Sequence, residues 1–270
     1  MDLASRYLSQ KLIISGNRVE LIKYQRPLAV DKSGRVRKEI REAQERRFDS
    51  IYRSRRNLRQ IIWANLTPYT KMLSLTCAQT CLDKDDFERK LQTFVQAMKR
   101  KGFTLRYVYV LEHQKERGLK EGNEGSWHAH YIIFNNEKIP LDVLNSCWKY
   151  GTTDIRILNG LRSHGDNEKI NSVAAYCSKY ITKENIQEFG SHVYRCSLGL
   201  ARPVEIPLYF HRIYNDNGTY FDTEVDNPYF RNLVKYFSPE YSSTREFSYS
   251  INNDTVTNSI EYMQGCFNNE

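Results

Sequence analysis

An α+β fold, a central antiparallel β-sheet flanked by helices, is predicted by three features of this 270-residue chain. Strand-like and helix-like segments follow one another from residue 72 onward without the regular strand–helix–strand repeat of a parallel sheet. Two neighbouring strand segments are joined by a polar, glycine-containing connection that reads as a long hairpin. The helical segments carry their apolar residues on one side, as helices laid on a sheet do. The core domain is placed at 70–205, with a basic, largely helical N-terminal extension over 1–69 and an acidic C-terminal region, a small subdomain or tail, over 206–270.

Residues 1–30 hold short apolar runs, Leu12-Ile13-Ile14 and Leu21-Ile22, that fit no clear period. From Arg35 to Leu66 there is no Pro or Gly, which predicts helix. Eleven basic residues between Lys32 and Arg59 outnumber Glu39, Glu42, Glu45 and Asp49 by seven. Such charge is either a solvated face or a phosphate-binding one; the excess favours phosphate, with Arg53, Arg55 and Arg56 as candidate DNA contacts. Met72 to Thr76 reads as a short strand. From Asp85 to Lys101, Phe87, Leu91, Phe94, Val95 and Met98 recur at helical spacing, and Gly102 closes the helix.

Thr104 to Glu112 alternates as a strand, with Val108, Val110 and Glu112 on one face and Tyr107, Tyr109 and Leu111 on the other. The connection His113 to Ser126 leads to the strand Trp127 to Phe134. A short helix over 141–150 is stopped by Gly151, a strand spans 153–158, and a helix spans 171–185.

A formal charge of +8 and a pI near 9.1 point to a polyanionic partner. From Tyr214 to the end, nine acidic residues face only Arg231, Lys235 and Arg245, so the tail is net negative and residues 1–213 hold the positive excess. The tail suits an oligomerisation surface, a small added domain around Asn217-Gly218, or a loosely ordered regulator. Six scattered cysteines read as reduced thiols. No window approaches 18 apolar residues and the N-terminus lacks a signal pattern, so a soluble, cytoplasmic protein without membrane contact is expected. No Gly-rich phosphate loop ending in Lys-Ser or Lys-Thr occurs, which argues against a nucleotide cofactor.

The chemistry concentrates in two constellations. In Trp127-His128-Ala129-His130, alternation turns both imidazoles to one side of a strand, supplying two of three ligands for a metal. Glu112, an acid on a Val-lined face of the adjoining strand, is the candidate third ligand. It could instead end its strand in water, and His113 or Gln114 would take its place if the alternation is off by one. Two imidazoles and a carboxylate suit Mn²⁺ or Mg²⁺ for phosphoryl chemistry, with Zn²⁺ not excluded by the ligand set. On the helix over 171–185, Tyr176 and Tyr180 fall one turn apart, with Lys179 and Lys183 forming a parallel stripe. The same face, with Val173, Cys177 and Ile181, also reads as a plain packing stripe, and the two readings are compatible.

Over roughly residues 70–200, these motifs resemble the HUH endonucleases, specifically the rolling-circle replication initiators of plasmids and small single-stranded DNA phages. Met72-Leu73-Ser74-Leu75-Thr76 is similar to the family's first motif. His128-Ala129-His130 is similar to its histidine motif, with Ala smaller than the usual central residue. Tyr176-x-x-Lys179-Tyr180-x-x-Lys183 resembles the two-tyrosine form of its third. The tyrosines follow the histidines, as in initiators and unlike conjugative relaxases.

The resemblance implies that Glu112, His128 and His130 hold a divalent metal and that Tyr176 attacks a DNA phosphate. The products would be a 5′-phosphotyrosine link and a free 3′-hydroxyl. Lys179 would offset developing negative charge, and Tyr180 would serve a second cleavage. The implied partners are a single-stranded or hairpin origin, a separate helicase and a polymerase. Arg195, Lys169 and Trp127 are further candidate DNA contacts, although Trp127 equally suits a packing role. Two other readings stand beside this one: a single-strand transposase or relaxase with the same chemistry, and a binding module in which His128 and His130 pack or touch bases.

Overall fold

The structure, a computed structural model, describes residues 5–16, 18–31, 33, 35, 43–114, 125–157, 177, 193–214, 220–224, 238–242 and 246–252. It is α+β, with two antiparallel sheets and, among the described residues, three helices. In chain order the elements are β1 (Ser5–Ser15), β2 (Arg18–Ala29), α1 (Ala43–Ala64), β3 (Lys71–Cys77), α2 (Lys84–Arg100), β4 (Tyr107–His113), β5 (Trp127–Ile133), α3 (Leu141–Cys147), β6 (Gly151–Ile157), β7 (Tyr194–Cys196), β8 (Val204–Tyr214), β9 (Tyr220–Glu224), β10 (Ser238–Ser242) and β11 (Glu246–Asn252). The chain divides into two units, one of Glu42–Ala201 and one of Met1–Arg41 with Arg202–Glu270. No described helix is long and apolar enough to cross a membrane.

The first unit is built on a five-stranded sheet in the order β6-β3-β5-β4-β7, every pair antiparallel. The expected hairpin of the two central strands is present as β4 and β5, in register from Tyr107↔Ile133 to His113↔Trp127. Strand alternation sends Leu73, Leu75, Leu111, Ala129, Tyr131 and Ile133 to one face, where they join Phe87, Leu91, Phe94 and Met98 of α2 and Leu144 and Cys147 of α3. Helix α2 forms where its period requires. The Asp83 side chain caps it by accepting from the amides of Asp85 and Asp86, and Lys99 and Arg100 sit in its last turn, where cations suit the helix dipole. Gly102, at φ 90, takes the left-handed conformation that ends it.

The other face carries Val108, Val110 and Ile132, packed with Leu58, Ile61 and Ile62 of α1. Here the structure differs from the sequence-based division at residue 69. Helix α1 carries the predicted positive charge, but it belongs to the same unit as the five-stranded sheet. The cause is an apolar stripe at Ile51, Leu58, Ile61 and Ile62, spaced i, i+7, i+10 and i+11, which the density of arginines overshadows in the sequence. Burying such a side chain stabilises by roughly 1.5–3 kcal/mol, so the stripe governs docking more strongly than surface charge does.

The second unit also departs from a helical N-terminal extension. Residues 5–29 form the hairpin β1–β2, whose two-residue connection begins at Gly16 with φ 62. This hairpin lies within a six-stranded antiparallel sheet ordered β10-β11-β2-β1-β8-β9, so the strands of the acidic C-terminal region share a sheet with the N-terminus. Leu12, Ile13 and Ile14 are all buried although neighbours in a strand point to opposite faces, so both faces are covered there. Two-sided burial erases the alternation that would mark a strand. The hairpin β8–β9 brackets the predicted Asn217-Gly218 turn, with Tyr214 paired to Tyr220.

Candidate active site

The two histidines lie on the central strand of the five-stranded sheet, each 6% exposed. Register sets their neighbours in rows across three strands. Thr76 (β3), His128 (β5) and Glu112 (β4) form one row, and Ser74, His130 and Val110 form the next. The rows are two residues apart along each strand, so all six positions share a face. The predicted gathering of Glu112 with His128 and His130 on the Val108–Val110 face is therefore present in the backbone, and the alternation is not off by one.

Side chains fix the rings further. Ser74 Oγ lies 3.0 Å from His130 Nδ1, and Thr76 Oγ1 lies 2.9 Å from His128 Nδ1. His130 Nε2 lies 2.8 Å from Glu112 Oε2; an ionised carboxylate only accepts, so Nε2 is the donor. Gln114 Nε2 also donates to Glu112 Oε2, at 3.5 Å. Burial by itself pushes the Glu112 carboxyl up, but hydrogen bonding and charge from His130, then Gln114 and His128, outweigh it and hold the group below its ordinary range. Glu112 thus stays anionic beside the imidazoles.

The strand carrying both hydroxyls is anchored at its end. The Trp148 indole donates to the Thr76 carbonyl at 3.0 Å, and the Ala78 amide donates to Tyr150 O at 2.8 Å. Gly151 lies against this segment so closely that a Cβ there would overlap the Thr76 carbonyl oxygen and the Ala78 amide nitrogen. Ser74 and Thr76 are the site residues that sequence reasoning missed as partners of the histidines. The signal was available: two hydroxyl residues at alternate positions of the first strand have the parity of a single face.

Two imidazoles and one carboxylate on one face are a donor set that fits a divalent cation. Among the described residues no group of three or more His, Cys, Asp or Glu side chains is disposed to hold a metal ion. Instead, Glu112 and His130 satisfy each other directly.

Tyr176, Tyr180, Lys179, Lys183 and Lys169 lie outside the described residues. Their neighbour Cys177 is described: it is helical, 2% exposed, and packs in the cluster of Val108, Val110 and Ile132. The chain next to Tyr176 is thus seated on the histidine face.

Two predicted DNA contacts point the other way. Trp127 is 2% exposed in the cluster opposite the histidines, with its indole donating to Leu82 O at 2.9 Å and its ring stacked on His113. A side chain so enclosed cannot stack on a base without leaving the core, so Trp127 has its packing role. Arg195 is paired with Tyr109 across β4–β7, and its guanidinium lies 3.7 Å from Glu88 on α2. Its neighbours Tyr194 and Cys196 face the histidine side, so alternation turns Arg195 to the opposite one. On α1, Arg53 is exposed, Arg55 is half-buried, and Arg56 is buried with its guanidinium over the Tyr52 ring, 5.4 Å from the centroid. Arg53 and Arg55 are therefore the better placed for phosphates.

Residues 70–185 match the family model of the replication-associated proteins of the ORF2 type. The matched span is less than half of the chain and runs from the residue before β3 through the histidine strand and beyond Cys177. No curated protein and no solved structure matches the chain significantly.

Proposed function

We propose that this protein is a DNA replication initiator that nicks single-stranded DNA at an origin by tyrosine transesterification. The observation that carries the reading is the placement of Glu112, His128 and His130 on the sheet face that also receives Cys177, the neighbour of Tyr176. The match to replication-associated proteins supports the biological role. Glu112, His128 and His130 hold a divalent cation, Mn²⁺ or Mg²⁺, whose chemistry when bound is to polarise the scissile phosphate.

The Tyr176 phenol oxygen attacks phosphorus in line. An O–P bond to tyrosine forms as the bond to the 3′ oxygen breaks, the phenolic proton passes to solvent, and the leaving 3′ oxygen takes up a proton. The 5′ phosphate stays on the enzyme, and the 3′-hydroxyl is free to prime synthesis. A phenol with an ordinary pKa near 10 is a weak nucleophile, and Lys179 aids it by stabilising developing negative charge. Tyr180 performs the second cleavage, and the displaced hydroxyl rejoins the ends by the reverse reaction. The DNA arrives unpaired, because a residue on a sheet-packed helix does not reach into a stacked duplex, so a separate helicase opens it. Arg53 and Arg55 attract its backbone.

Incubation with Mn²⁺ and an origin oligonucleotide should yield a covalent adduct that survives denaturing electrophoresis. Tyr176→Phe with Tyr180→Phe should abolish it. An undiminished adduct in that double variant rules the assignment out.

A further inference from the structure

We infer that Ser74 and Thr76 are positioning residues: their hydroxyls fix the rings of His128 and His130 as cation ligands, and Ser74 lets the neutral His130 ring exchange tautomer between Glu112 and a cation. This rests on the proposed metal role of the same face.

The argument starts from donor and acceptor capacity. In the Glu112–His130 pair, Nε2 carries the proton, because the carboxylate can only accept. In a neutral ring Nδ1 then bears a lone pair, and the Ser74 hydroxyl at 3.0 Å donates to it. A cation at Nε2 needs the lone pair there, so the proton must reside on Nδ1. The same hydroxyl then accepts from Nδ1–H.

One proton moves from Nε2 to Nδ1 through solvent, and the charge of the ring does not change. A carbonyl or carboxylate in place of Ser74 could only accept, which would bar the neutral ring from pairing with Glu112. Serine or threonine permits both states. Thr76 bears the same relation to His128 Nδ1, at 2.9 Å, in the next row of the sheet. Both hydroxyls come from β3, the strand beside β5, so their spacing matches that of the histidines without any loop in between.

Positioning of this kind typically contributes about 10–100-fold to cation affinity. The test is Mn²⁺ binding to the full chain by calorimetry, together with long-range ¹H–¹⁵N spectra of the histidines without metal and with Zn²⁺ as a diamagnetic probe. Ser74→Ala and Thr76→Val should each weaken Mn²⁺ binding by about 10-fold or more, whereas Ser74→Thr and Thr76→Ser should retain it. His130 should show an Nε2–H tautomer without metal and an Nδ1–H tautomer with Zn²⁺.

Equal binding by wild type and the hydroxyl-free variants overturns this inference and leaves the proposed function standing. Equal losses in the hydroxyl-retaining variants also overturn it, since volume and not the hydroxyl would then matter. An Nδ1–H tautomer in the metal-free protein overturns the exchange directly. If the wild type binds no divalent cation, the metal role falls and this inference falls with it.

Discussion

At Gly151 the backbone leaves no room for a methyl group, because the Thr76 carbonyl and the Ala78 amide occupy its position. Gly151→Ala must therefore displace the end of β3, the strand that supplies both hydroxyls. Overpacking against backbone falls at the upper end of its usual cost, so a loss of about 3 kcal/mol is expected, read as a lower denaturant midpoint. Glu112 makes a different prediction. Its carboxyl titrates below the ordinary value of 4.5, so its contribution to stability is fully present above that value and is lost as pH falls through the lower, folded one. Glu112→Gln removes this contribution, and its unfolding curves should depend less on pH over the acid range than those of the wild type; an unchanged acid limb contradicts the pairing. At this scale the sequence is legible wherever parity alone decides the matter, as for His128, His130 and Glu112. Trp127 and Arg195 are misread because an aromatic or basic identity says nothing about which face a strand residue takes.

Helix α1 shows how two signals on one element compete. Its arginines announce nucleic acid, while Leu58, Ile61 and Ile62 dock it on the sheet. Ile62 is fully buried, and Ile62→Ala should cost about 2–4 kcal/mol in chemical denaturation, an effect that no surface arginine substitution should approach. Elements with a single clean period are legible almost to the residue: α2 is expected from Asp85 and starts at Lys84, and the histidine strand starts at Trp127 as expected. The helix expected over 141–150 ends earlier, at Cys147, since Trp148 leaves the helix to place its indole on Thr76. That departure is a tertiary effect, and no local pattern records it.

For the whole molecule, the feature least visible in the sequence is the pairing of distant strands. β1 pairs with β8, and β2 with β11, across separations that no local periodicity encodes. The acidic tail stands out in the sequence by its charge, but its partner strands lie at the other terminus. Deleting residues 1–29 removes the middle of the six-stranded sheet and bares β8 and β11 as unpaired edges. The truncated chain should aggregate in size-exclusion chromatography; a monodisperse product would contradict the pairing.

The register of β1 carries one more consequence. β2 ends at Ala29 beside Tyr7, whereas β8 begins at Val204 beside Ile14, so the chain leaves this sheet near one end of β1 and rejoins it near the other. Seven residues of strand separate the two points, about 24 Å. Everything from 30 to 203 is thus spliced between anchors that a tight turn cannot join. Replacing it by a bare linker would take at least about seven extended residues, and grafting a foreign domain there would demand termini set wider apart than the close-lying ends usual for inserted domains.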